Sequence, residues 1–350
     1  MWAAASALAL RGLLALAGAS ALAGGCLACA SAAAPREAHA PVAASPPPQP
    51  RQQRLFEFHS HFWVNLHHFA RAVARGMPAR AELTAAEGGS WELGVALYRE
   101  RYADRDLLFD DGMVEIKEAL RQVEGESSLG AAPLDPELKL TLERLAPIYL
   151  AHWWPEHDAA NRAWIAAVEP LLASHGEALA RRVAGAYGKS WPSAPIPVDV
   201  AVSAGPVGAY TTARPTHTTI ASTHPGLRGL AALEMVFHEA SHAWGLVIQT
   251  AIAKAAATRQ KTVPPQLWHA VLFHTAGEST RRTLAADGIE GYVEYAVSQD
   301  LYVKLCGDGC RERVAEHWDP HLDGRTSIEA ALDALVAEWP ALHRPSRRWA

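Results

Sequence analysis

Leu230-Ala-Ala-Leu-Glu-Met-Val-Phe-His-Glu-Ala-Ser-His-Ala-Trp-Gly245 carries the densest chemistry in the chain. It holds His238, Glu239 and His242 in an H-E-x-x-H pattern, with no helix breaker between Leu230 and Trp244. Residues four apart on a helix stand one above the other, so both imidazoles can reach one metal ion. Glu239 projects beside that face, where a carboxylate can hold and deprotonate a metal-bound water without being a ligand itself. Met235, Val236, Phe237, Trp244, Leu246, Val247 and Ile248 make the surroundings apolar. Burying two histidines and a glutamate there is costly unless they are paired or metal-bound. Two hydrogen-bonded core histidines are the plain alternative.

Upstream, Pro195-Ile-Pro-Val-Asp-Val-Ala-Val-Ser203 reads as a strand, Gly205 to Gly208 as a turn, and Ala209 to Thr212 and His217 to Ser222 as two further strands. Downstream, Trp268 to Leu284 reads as a second helix. Strands, then the H-E-x-x-H helix, then a helix with a further ligand: this order resembles the zincin fold of zinc metallopeptidases. The resemblance covers about Val198 to Tyr295 and implies an α+β, mostly helical chain with a small β-sheet. It also implies one Zn2+ per chain and an edge strand that pairs with extended peptide substrate. His217 to Ser222 is the candidate edge.

A catalytic zinc needs a third protein ligand and one open position for water. The metzincin extension fails, because Ile248 stands where a histidine is required. The aspzincin pattern finds only Asp287 as a loose counterpart. The gluzincin pattern takes a glutamate from the following helix, and Glu278, beside Gly277, fits it. The metal set expected by this resemblance is therefore His238, His242 and Glu278, with His274 and Glu290 behind Glu278. Glu278 could instead pair with Arg281 or Arg282 at helical spacing. His274, four residues before Glu278, shares its face, and His269, nine before it, is read as close in angle too. Either could donate to a transition-state oxyanion, as could Tyr292 or Tyr295. Glu239 as base, with His274 and Tyr292 as helpers, make up the expected catalytic set.

The rest of the chain bounds the setting. Its 350 residues suffice for one large domain or two modest ones, and 49% hydrophobic with 20% charged residues marks a globular protein. A net charge of -5 and the lack of any Lys/Arg-rich block give no reason to expect nucleic acid as a partner. Residues 1–25 read as a signal peptide. Leu22-Ala-Gly-Gly-Cys26 is similar to a bacterial lipobox, and a plain secretory cleavage near Ala30-Ser-Ala32 competes with it. A lipid on Cys26 would tether an exported protein to the cell envelope, periplasmic or outer membrane, without spanning it. Residues 26–54 are an Ala/Pro-rich tether. Residues 55–190 read as a helical N-terminal part and 191–350 as the metallohydrolase domain.

The N-terminal part opens with a strand-like Phe56 to His59, a helix through Ala74, and four histidines, His59, His61, His67 and His68. These either form or line a metal site, or are ordinary hydrogen-bonded and surface histidines. Cys306 and Cys310 can close a small disulfide loop in an oxidising compartment. Together these features lead to an exported zinc-dependent hydrolase acting on peptide or protein substrate. The alternatives are a zinc amidase acting on cell-wall peptides and a non-catalytic, metal-containing or ligand-binding envelope lipoprotein.

Overall fold

An aromatic segment and three short segments rich in β-branched residues gather into one sheet, although five helices separate the first from the second. The computed structural model describes residues 54–205 and 207–339. In it, β1 (Phe56–His59), β2 (Ile196–Ala201), β3 (Ala209–Ala213) and β4 (Thr216–Ala221) lie in the order β1-β2-β4-β3. β2 pairs in parallel with both β1 and β4, and β3 folds back antiparallel on β4. The expected substrate edge, His217 to Ser222, is thus an interior strand. β3, like β1, is an edge strand: it pairs with β4 on one side, and among the described residues no strand pairs with its other side.

Between β1 and β2 run α1 (Phe62–Ala74), α2 (Ala85–Arg101), α3 (Asp111–Gln122), α4 (Pro136–His152) and α5 (Trp154–Ala186). Thr84 and Glu87 start α2 with a reciprocal capping box, and Asp110 and Asp135 cap α3 and α4. α4 runs unbroken through Pro147, a residue type that usually ends or kinks a helix; Leu142, Leu145, Ile148 and Tyr149 bury on both sides of the proline and hold the helix together. α5 likewise continues through Pro170 and Gly176. Gly176 is a packing position: a Cβ there would meet Leu55 Cδ1 at 3.1 Å.

After β4 come α6 (Leu230–Ser241), a single 3-10 turn at His242–Trp244, α7 (Gly245–Arg259) and α8 (Leu267–Ala286). The chain then forms α9 (Tyr295–Ser298), α10 (Leu301–Cys306), α11 (Cys310–Leu322) and α12 (Ile328–Glu338). A disulfide joins Cys306 to Cys310. The α+β, mostly helical class holds. Among the described residues two large hydrophobic cores form, beside a small cluster of Ala204, Tyr210 and Ala221. Helices α1 to α4 close one, around Leu66, Tyr98, Leu120, Leu142 and Tyr149. The sheet, α5, α6, α8 and the C-terminal helices close the other, around Val198, Phe237, Leu272 and Trp318. β1 and α5, both before residue 190, belong to this second core.

The expected signal peptide, Cys26 and the tether up to residue 53 lie outside the described residues. Among the described residues no helix is long and apolar enough to cross a membrane.

Candidate metal centre

α6 is buried along nearly its whole length, with the sheet on one side and α5 and α8 on the other. Its apolar residues bring His238 and Glu239 inside with them. His242, one turn later, is the C-cap residue and begins the 3-10 turn, so its ring stands at the mouth while His238 sits deeper. The rings are perpendicular, with centroids 5.1 Å apart. Phe273 stacks on His238 at 3.7 Å between centroids and fixes the plane of that imidazole.

The third member is His269, from the first turn of α8. Its Nε2 lies 3.2 Å from His238 Nε2, and the ligand atoms of His238, His242 and His269 all lie within 4.8 Å of one another. Two nitrogens bound to one tetrahedral zinc at about 2.0–2.1 Å stand about 3.3 Å apart, so the 3.2 Å separation suits a shared cation. Burial, followed by the charges of His242 and His269, holds His238 well below the usual imidazole range. Burial first also pushes His242 down to about 3 and His269 down to about 4. All three rings are therefore neutral near pH 7, the form in which imidazole offers a lone pair to a metal. The residues present fit a zinc ion.

Glu278 is not part of this group. Its carboxylate accepts from Arg281 Nε at 2.7 Å and Nη2 at 2.5 Å, and from Arg282 Nε at 2.5 Å. Burial alone would raise its pKa, but these two guanidiniums hold it below the ordinary carboxylate value. The reason is angular. Nine residues at 100° each leave His269 and Glu278 about 180° apart on α8, on opposite faces. His269, Phe273 and Gly277 form the face toward α6. A Cβ on Gly277 would meet Glu294 Cβ at 2.8 Å and Glu234 Oε1 at 3.3 Å, so this glycine makes room chiefly for Glu294, the residue that starts α9. His274 shares the Glu278 face and bonds Asp319 Oδ1 at 2.7 Å. Tyr292 is occupied elsewhere as well, donating to Glu234 Oε2 at 2.6 Å. Glu290 is exposed, and Asp287 pairs with His175 at 2.6 Å. His274 and Tyr292 therefore drop out of the catalytic set, and Glu278 out of the metal set.

Glu239 lies beside the imidazoles and faces the edge strand. Thr211 Oγ1 donates to its Oε2 at 2.8 Å, and Thr211 is steadied by Thr218 Oγ1 at 2.7 Å across the β3–β4 pair. Burial pushes the Glu239 pKa up to about 7, against the opposing effects of Thr211 and the Lys117 charge. A carboxylate poised there can both take and return a proton near neutrality.

The three histidines and Glu239 open into a cavity of about 700 Å³. Ala209, Tyr210 and Thr211 of the edge strand form one wall, and Phe273, Tyr295 and Leu301 another; a third comes from Arg71 and the segment Asp104 to Phe109. Phe109 and Val207, also at the cavity, are 77% and 66% exposed, which makes an apolar rim. Tyr295 reaches the cavity where Tyr292 does not. Sequence spacing alone could have recovered His269, since correct helical arithmetic puts it on the Gly277 face.

Of the four N-terminal histidines none joins a metal group among the described residues. His67 bonds Tyr98 and His68 bonds Tyr210, each through the phenol oxygen. His61 enters a buried chain of ion pairs. Glu124 Oε2 contacts His61 Nε2 and His61 Nδ1 contacts Asp199 Oδ1, both at 2.6 Å; Asp199 Oδ2 contacts His217 Nε2 at 2.8 Å, and His217 Nδ1 contacts Glu118 Oε1 at 2.5 Å. This chain ties α3 and the start of α1 to β2 and β4. Comparison with protein-family models, with curated proteins and with solved structures finds no match to this chain.

Proposed function

We propose that the chain is a zinc-dependent hydrolase of the zincin type that cleaves amide bonds in peptides, with His238, His242 and His269 as metal ligands. The observation that carries this is the convergence of three neutral imidazoles on one point beside a buried, Thr211-held Glu239, at the foot of an open cavity. Zinc held there would polarise the scissile carbonyl and make water acidic enough to ionise near neutral pH. Glu239 takes the proton of the attacking water and passes it to the leaving amine. Thr211 holds the carboxylate in line for both transfers. Tyr295, whose ring lines the cavity, is the donor for the developing oxyanion in place of His274 or Tyr292. The free side of β3 offers main-chain groups to an extended peptide.

Relative to the gluzincin resemblance, the proposal keeps the H-E-x-x-H helix and replaces the glutamate ligand by a histidine. Export to the cell envelope, tethered through Cys26, belongs to the same proposal. The Cys306–Cys310 disulfide supports it, since such bonds persist in oxidising compartments.

The test is Glu239→Gln against a mixed peptide library read by mass spectrometry. The variant is expected to bind zinc as the parent does and to lose about 10²–10⁴-fold in turnover, the usual share of a general base. Turnover at the parental rate would exclude Glu239 as the base.

A further inference from the structure

Among the described residues Arg71, Arg75, Arg105 and Lys304 line the cavity, and Arg71 is the buried one. Arg71, on α1, is only 7% exposed and lines the same cavity as His238, His242 and His269. Its Nε donates to the Tyr102 carbonyl at 3.2 Å and its Nη2 to the Arg105 carbonyl at 2.7 Å. These neutral partners fix the plane of the guanidinium without neutralising it. The other basic residues of this wall are engaged. Arg105 makes a two-pronged pair with Asp110, at 2.8 and 2.5 Å, and Arg75 contacts Asp104 at 3.3 Å. Among the described residues no carboxylate lies within ion-pair distance of Arg71, and its Nη1 makes no hydrogen bond.

Asp104 and Asp106 stand near enough to favour the charged guanidinium without pairing with it. A buried guanidinium that lacks a paired anion is costly, and it becomes more favourable when one enters. A planar fork held by main-chain carbonyls suits a carboxylate. The cavity, about 700 Å³, is large enough for a short peptide. Leu107, Leu108 and Phe109 beside Arg71 are apolar and would receive an apolar side chain.

We propose that Arg71 anchors the free C-terminal carboxylate of a short peptide, so that the enzyme removes residues from peptide C-termini, with preference for an apolar last residue. This rests on the zinc-hydrolase reading for its chemistry, but binding of the carboxylate does not depend on turnover.

The experiment therefore measures binding first. Zinc-loaded Glu239→Gln protein is titrated calorimetrically with acetyl-Ala-Ala-Phe as the free acid and as the C-terminal amide. The acid is expected to bind about 30-fold or more tighter than the amide, the lower end of what a buried charge pair contributes. In the Glu239→Gln, Arg71→Gln double variant the ratio should fall to within about 3-fold of unity. A ratio of peptides within one protein is insensitive to partial loss of folding. Equal binding of acid and amide, or an unchanged ratio without Arg71, would overturn the proposal. An amidated peptide ending in glutamate tests the other source of a carboxylate. If it binds as well as the free acid, Arg71 reads a side chain and C-terminal trimming is refuted. Turnover of the acid and amide by the wild-type protein is assayed alongside. Carboxylate-dependent binding without any cleavage would refute the hydrolase and leave the Arg71 anchor standing.

Discussion

Replacing His269 and Glu278 separately by alanine separates the two possible third ligands. His269 Nε2 faces His238 Nε2 at 3.2 Å, whereas Glu278 faces Arg281 and Arg282 from the opposite side of α8. Loss of an outer hydrogen-bond partner of a ligand costs 10–100-fold in metal affinity, so loss of a ligand itself should cost about 100-fold or more. His269→Ala is expected to bind zinc at least that much more weakly in a competition with a fluorescent chelator. Glu278→Ala should keep zinc affinity within about 3-fold while losing stability. A fully buried ion pair broken on one side costs about 3–5 kcal/mol. The Arg281 side chain is 45% exposed and Arg282 22%, so solvent screening reduces the expected loss to about 1–2 kcal/mol in urea unfolding. Zinc lost in Glu278→Ala and retained in His269→Ala would refute the proposed donor set.

Two further predictions concern the frame of the site. Asp199 is fully buried between His61 and His217, and burial would raise its pKa, but the bonds from His217 and His61 hold it far below the ordinary 3.8. Asp199→Asn should therefore cost about 3–5 kcal/mol at pH 7. A depressed carboxylate stabilises the fold above its unfolded pKa and loses that contribution as pH falls toward its folded value. The gap in urea midpoint between wild type and variant should accordingly shrink below about pH 4, and a gap independent of pH would contradict the ionic role. Gly277→Ala puts a methyl 2.8 Å from Glu294 Cβ. It should cost about 1–3 kcal/mol and weaken zinc binding by moving α8, and a variant with unchanged stability and affinity would show that the helices do not need this contact.

Much of the frame was legible because it is local. β2, β3 and β4 are short β-branched runs between turn residues, and α6 is an apolar helix that carries His238, with His242 four residues on at its C-cap. Ser327 starts the last helix as its cap. Features that depend on tertiary packing were not legible. Pro147 and Gly176 resemble boundaries, yet buried neighbours carry the helices through them. Nothing in the sequence says that β3 folds back to make His217 interior, or that Asp199 would meet His61 across 138 positions (199 − 61). Glu278 was chosen by resemblance although the helical angle points it away, and Arg71 acquires its significance only when α1 is brought to the cavity wall.

In the proposed site three imidazoles, with no carboxylate, hold one zinc ion. X-ray absorption at the zinc edge, on wild-type protein loaded with one equivalent of zinc, tests it most directly. Three histidine nitrogens and one water oxygen at about 2.0–2.1 Å are expected, with one nitrogen ligand lost in His269→Ala. A spectrum with two imidazoles and a carboxylate, or a protein that retains no zinc after buffer exchange, would contradict it.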